Sequence, residues 1–186
     1  KLILERLQST KDSVIYAVDH STSALKAATE EIGERKDVAI NYVHSEVQNL
    51  TDAVKERVDA IVYCNSIHYV PDKPNLLAQI KEKLSPNGIF AFNTSFFDGS
   101  HPPDSQEFSR KWMMRSLRIL KREHGLSADK AAKVESRVQL TADQYIKFVE
   151  NAGFRVEVND LNRVEVPHEG YHHISGFSDW IEGVMP

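Results

Sequence analysis

Two short apolar runs, Ala60–Tyr63 and Ile89–Phe92, constrain this chain more than anything else in it. Neither alternates with polar residues, so each reads as a strand buried on both faces. Between them, Pro74 to Leu84 carries Leu76, Leu77, Ile80 and Leu84 at helical spacing, and Pro86-Asn87-Gly88 follows as a turn signal. Strand, helix and strand in this length make a βαβ unit with parallel strands. Ligands of open parallel sheets sit at the C-terminal ends of the strands, here Cys64–Tyr69 and Asn93–Phe97.

The flanking sequence extends the alternation. Lys1–Gln8 has a helical pattern, Val14–Val18 reads as a strand ending in Asp19, and Ser21 or Thr22 caps a helix closed by Gly33. Val38–Val43 is a further strand followed by His44-Ser45-Glu46, and Asn49–Val58 is a short helix or turn. After a proline-containing loop at 98–103, Ser105 to His124 is helical and strongly basic, and a second helix is expected over Ala128–Glu135. Residues 98–139 therefore form a helical insertion longer than an ordinary crossover. Thr141 with Gln144 makes a capping box for a helix stopped by Gly153. Phe154–Val158 and Leu161–Val166 read as strands, and Tyr171–Phe177 as a strand or irregular tail. The expected fold is a three-layer, Rossmann-like α/β domain over residues 1–186, with a mostly parallel sheet and 98–139 as a lid.

Composition narrows the partners. A net charge of −4 argues against broad binding to a nucleic-acid backbone. No apolar run approaches the length needed to span a bilayer, and a lone cysteine, Cys64, fits a reducing compartment, so a cytoplasmic location is expected.

The strand ends carry the chemistry. A carboxylate directly after a buried strand, as at Asp19, accepts hydrogen bonds from a ribose diol; alternatively, it caps the next helix. Glu46 holds the same place after the next strand, where an acid meets an adenine amino group; alternatively, it is a solvated loop acid. With the Cys64-Asn65 break on a third strand, the pair describes an adenosine pocket.

In order and spacing, Val14–Ser21, Asn41–Leu50, Asp59–Val70 and Leu84–Phe90 resemble the class I S-adenosylmethionine-dependent methyltransferases of the small-molecule type. Thr141–Val158 resembles the late helix and strand of that family. The resemblance implies S-adenosylmethionine as cofactor. It assigns the ribose to Asp19, an adenine contact to His20, and the adenine edge to Ser45, Glu46 and Val47. Cys64, Asn65 and Ser66 would run beside the methionine part, and His68 would face the transferable methyl. The insertion 98–139 would lie between the family's fifth and sixth strands. The family's opening strand and glycine-rich loop have no counterpart here. Since the acid lies about 20 residues after those glycines, that loop is expected just upstream of Lys1, with the chain incomplete at both ends.

In-line methyl transfer from a sulfonium needs alignment, and a base only if the nucleophile carries a proton. Candidate bases are His68, His101, Tyr171, His172 and His173, with His68 preferred. No metal is expected: His172 and His173 on an extended segment would face opposite ways. The basic run of 105–124 either attracts an anionic or carrier-bound substrate or is a solvated helix face. Phe96, Phe97, Trp112 and Tyr171 either line an acceptor pocket or form lid core. Two rival readings remain: a methyltransferase-like domain without cofactor binding, and a nicotinamide-dependent oxidoreductase. The spacing of Glu46 and Asn65 suits the methyltransferase better than the second.

Overall fold

The computed structural model describes residues 2–6, 13–127, 138–177 and 181. The chain is mixed α/β and divides into two compact units, residues 1–62 with 74–91 and residues 63–73 with 92–186.

In the first unit, α1 (Leu2–Arg6) precedes β1 (Val14–Asp19), α2 (Thr22–Ile32) and β2 (Ala39–His44). Strands β1 and β2 are parallel, with Val14 opposite Ala39 and Asp19 opposite His44. Local chemistry sets the limits of α2 between them. Ser21 Oγ accepts from Ala24 N at 3.2 Å, and Gly33 closes the helix at φ 67°, a backbone conformation that favours glycine. The expected packing face of α2 is only partial: Leu25 and Ala28 are half-buried, while Ala24 is exposed. After a 3₁₀ turn at Val47–Asn49 come α3 (Leu50–Ala53), β3 (Val58–Cys64) and α4 (Lys73–Lys83). The buried apolar residues of this unit include Val38, Leu50, Val54, Leu76, Leu77, Ile80 and Leu84. The helical spacing of Leu76, Leu77 and Ile80 thus marks the buried stripe of α4.

The next strand, β4 (Leu84–Asn93), begins directly after α4. Pro86-Asn87-Gly88 is therefore not a turn ending the helix; Asn87 adopts φ 64° inside the strand segment. Backbone approaches Gly88 closely. A Cβ there would lie 3.0 Å from Ser85 O and 3.2 Å from Asp59 O. Strands β3 and β4 are neighbours. Asp59 lies beside Gly88, and Asn65 N donates to Asn93 O at 3.0 Å, so the two strands run the same way.

Among the described residues the strands pair as two two-stranded sheets, β1–β2 and β3–β4. Burial on both faces of β3 and β4 is not observed: Val62 is 49% and Ile89 67% exposed. A strand with one hydrogen-bonded neighbour keeps an open flank, and an unbroken apolar run does not by itself supply a cover for each face.

Among the described residues, the second unit holds the ends of β3 and β4 and further helices. Pro102 and Pro103 start α5 (Pro103–His124) two residues before Ser105, since Pro at the first helical position leaves no donor wasted. The capping box of α6 (Ala142–Asn151) forms as expected: Thr141 Oγ1 accepts from Gln144 N at 3.2 Å, and Gln144 Oε1 accepts from Thr141 N at 2.8 Å. Asp98 N donates to Leu140 O at 3.0 Å, which ties the entry of α6 to the loop after β4. Tyr145 and Val149 are buried.

Downstream the expectations fail. Residues 154–167 contain no strand, and Val158, Leu161 and Val164 are about three-quarters exposed. Their β-branched pattern has no hydrogen-bonded neighbour among the described residues, and strand preference is mainly a preference for such a packed setting. What holds the segment includes Arg163, whose guanidinium donates to Asp104 at 2.8 Å. Tyr171–Phe177 is not extended either. Residues His168–Ile174 form α7, which starts directly after Pro167 at φ −64°. The helix expected over Ala128–Glu135 lies outside the described residues.

Candidate functional site

At the end of β1, Asp19 is half-exposed and partly engaged. Its Oδ1 accepts the Ser21 N–H at 2.8 Å and lies 3.7 Å from His20 Nδ1. Among the described residues its Oδ2 has no partner. The helix cap is Ser21 rather than Asp19; Asp19 only holds the N–H of that cap residue, and since a carboxylate oxygen has two acceptor sites it keeps acceptors for a diol.

The parallel register brings the next strand end alongside. Asp19 O accepts the Ser45 N–H at 3.0 Å, and His44 Nε2 sits 2.8 Å from His20 O. These bonds tie the loop after β1 to the loop after β2. Glu46 then leaves the sheet in extended conformation, at φ −67° and ψ 143°. Its side chain is exposed, whereas Ser45 and Val47 are half-buried. Ser45 Oγ donates to the Glu46 carbonyl at 3.1 Å. Asp19, His20, Ser45, Glu46 and Val47 are thus brought together in one unit, with two carboxylates on adjacent parallel strand ends.

The end of β3 is built differently. Asn65 sits at φ 48°, a conformation asparagine tolerates better than most residues. Its Oδ1 accepts from Ser95 N at 2.8 Å and Ser95 Oγ at 2.9 Å. The side-chain carbonyl is therefore spent on the loop after β4, and the Nδ2 donors remain for any ligand. Ser66 Oγ donates to Cys64 O at 2.8 Å, and the Cys64 thiol is free and exposed.

His68 is 1% exposed. Its ring stacks on Phe96 at a 4.5 Å centroid separation and packs against Tyr69 at 4.1 Å. Its Nδ1 is 3.0 Å from Thr94 Oγ1. The Thr94 hydroxyl donates to Phe96 O at 3.3 Å and accepts the Phe96 N–H at 3.1 Å. With that hydrogen committed, the network assigns the imidazole proton to Nδ1, leaving a lone pair on Nε2. Nε2 is buried and has no partner among the described residues. Burial, and secondarily the Lys73 ammonium, lower the His68 pKa to about 4, so the ring is neutral at pH 7.

The other candidate bases stand apart from these strand ends in the chain. His101, His172 and His173 are exposed. Tyr171 meets Phe108 and Trp112 edge-on at 5.6 and 6.0 Å, and burial raises its pKa; these rings form a packed cluster. The opposite-face argument against metal fails because His172 and His173 lie on a helix, with ring centroids 6.0 Å apart. Among the described residues no three His, Cys, Asp or Glu side chains gather as a metal site.

Thr94 and Ser95 lie in the strand-end stretch Asn93–Phe97 where a site is expected, but the sequence assigned them no role of their own. They matter because they hold His68 and Asn65, and only a hydrogen bond across some 26 to 30 residues reveals it.

The model of a methyltransferase domain family matches residues 2–90. The resemblance to a methyltransferase holds. The match spans β1 to β3, α4 and most of β4, and includes Asp19, Glu46, Asn65 and His68. Helices α5 to α7 lie outside the matched methyltransferase stretch. Among solved structures, the chain is similar to one from a complex between the Haloferax volcanii Trm112 methyltransferase activator and a candidate methyltransferase. The identity is 13% and the TM-score 0.45, with 97% of this chain and 81% of that chain covered. At that distance the likeness bears on neither activity nor partner. No curated protein matches the sequence.

Proposed function

We propose that the protein is a class I methyltransferase that uses S-adenosylmethionine to methylate a small or carrier-bound acceptor in the cytoplasm. The observation that carries the reading is the register of β1 and β2, which puts Asp19 and Glu46 on adjacent parallel strand ends within the methyltransferase-matched stretch. Asp19 would take the ribose diol through Oδ2 and the unused acceptor site of Oδ1. His20 would lie against the adenine, and Ser45, Glu46 and Val47 would hold its edge.

Cys64, Asn65 and Ser66 are proposed for the methionine part of the cofactor. With Asn65 Oδ1 engaged by Ser95, the contribution of Asn65 is its Nδ2 donors, suited to a carboxylate. His68 is proposed to lie beside the methyl as a neutral imidazole. A group with a pKa of about 4 is a weak base at pH 7, so its part is alignment more than proton removal. The cofactor supplies an activated methyl, and these side chains would bind and orient it. Residues 98–139, of which α5 is described, are proposed as the lid.

Calorimetric titration tests the reading. S-adenosylhomocysteine is expected to bind saturably and NADH not to bind; the opposite preference would favour an oxidoreductase, and no binding of either a domain without cofactor.

A further inference from the structure

Helix α5 bears a feature to which the proposed cofactor site assigns no role. From Phe108 to Arg122 it contains six basic residues and no acid, in a chain whose net charge is −4. A cavity of about 680 Å³ opens along its C-terminal half, lined by Arg115, Arg118, Ile119, Lys121 and Arg122. Arg115, Arg118 and Arg122 follow one another at intervals of three and four residues and so share one helix face. They span about 10 Å of helix axis at 1.5 Å per residue.

The charges around the cavity are poorly compensated. Arg122 donates to Glu123 at 2.5 Å, but among the described residues Arg115, Arg118 and Lys121 have no acidic partner. One turn upstream, Lys111 is paired with Glu107 at 2.7 Å. Like charges this close repel unless an anion sits between them. Three of the four cations are arginines, whose planar forks match the paired oxygens of phosphates and carboxylates. Ile119 gives the cavity an apolar wall, and no aromatic side chain lines it among the described residues. Among the described residues, then, the lining offers no platform for stacked bases and only one apolar side chain, too little for membrane insertion. The volume falls in the range of small-molecule sites.

We propose that this cavity is a binding site for a small, multiply charged oxyanion, a phosphorylated or polycarboxylated molecule held by Arg115, Arg118, Lys121 and Arg122. The site does not depend on the methyltransferase reading.

Titration calorimetry at low ionic strength tests it, with inorganic pyrophosphate and citrate as separate probes. At least one is expected to bind saturably, one to one, and to weaken steeply as salt is added. Tighter binding of pyrophosphate assigns the phosphate source, and of citrate the carboxylate source. The double variant Arg115→Gln/Arg118→Gln is expected to weaken that binding at least tenfold. These residues are exposed, so its circular dichroism and unfolding midpoint should match the parent. Arg110→Gln, on the same helix but not lining the cavity, is expected to change binding less than twofold. Absence of saturable binding for both probes, or an equal loss in Arg110→Gln, would overturn the proposal.

Discussion

Replacing His68 by phenylalanine should remove an acid sensitivity built into the fold. The wild-type imidazole is 1% exposed, and burial with the nearby Lys73 ammonium lowers its pKa from 6.5 to about 4. The unfolded chain therefore binds a proton more readily than the folded one below pH 6.5. The stability tied to neutral His68 is complete above that pH and is lost as pH falls toward 4. Between pH 8 and pH 5 the linkage amounts to about 2 kcal/mol.

In His68→Phe the ring stack with Phe96 and Tyr69 is retained. The Nδ1–H···Thr94 bond is lost, at a cost of about 1 kcal/mol. Removal of the unpartnered Nε2 relieves a buried polar group worth about 1–3 kcal/mol. The two changes offset, so the variant should lie within about 2 kcal/mol of wild type at pH 8. At pH 5 its loss relative to pH 8 should be about 2 kcal/mol smaller than the wild type's. Urea unfolding followed by tryptophan fluorescence suits the measurement, because Trp112 belongs to the same unit as His68. An equal pH 8 to pH 5 loss in both proteins would refute the reasoning and place the acid sensitivity elsewhere.

Two further perturbations test the local chemistry. Thr141→Ala deletes the capping-box acceptor at the start of α6 and should cost about 1 kcal/mol, read as a lower urea midpoint; Thr141→Ser should recover most of it. Gly88→Ala places a methyl 3.0 Å from Ser85 O and 3.2 Å from Asp59 O, backbone atoms that cannot swing aside, so a loss of about 1–3 kcal/mol is expected. An unchanged midpoint in Gly88→Ala would show that β3 and β4 have slack there.

What was legible in the sequence was local or periodic. Ser21 and Thr141 declare their helices because a cap is settled within three residues. Asp19 and Glu46 were recognisable because each follows a short apolar run, and the parallel pairing then set Asp19 opposite His44, two residues before Glu46. The likeness to a methyltransferase came from the order of such runs and is borne out over residues 2–90. Non-local and context-dependent features were not legible. Thr94 and Ser95 lie in the expected strand-end stretch Asn93–Phe97, but their partners, His68 and Asn65, emerge only from the fold. Phe154, Val156 and Val158 alternate like a strand, but residues 154–167 form none and no neighbouring strand lies beside them among the described residues. His168–Ile174 contains a glycine and three histidines, a weak helical composition, and the helix is set by Pro167 at its start and by packing of Tyr171 on Phe108 and Trp112.

The central claim is that the ends of β1 and β2 read an adenosine through Asp19. Calorimetry of S-adenosylhomocysteine binding to wild type and Asp19→Ala addresses it most directly. Loss of two charge-assisted hydrogen bonds to the ribose, about 1.5–3 kcal/mol each, predicts binding at least tenfold weaker in the variant. Because Asp19 Oδ1 also holds Ser21 N–H, Asp19→Asn, which keeps that acceptor and removes the charge, should bind with intermediate affinity. Equal affinity in wild type and Asp19→Ala would contradict the account.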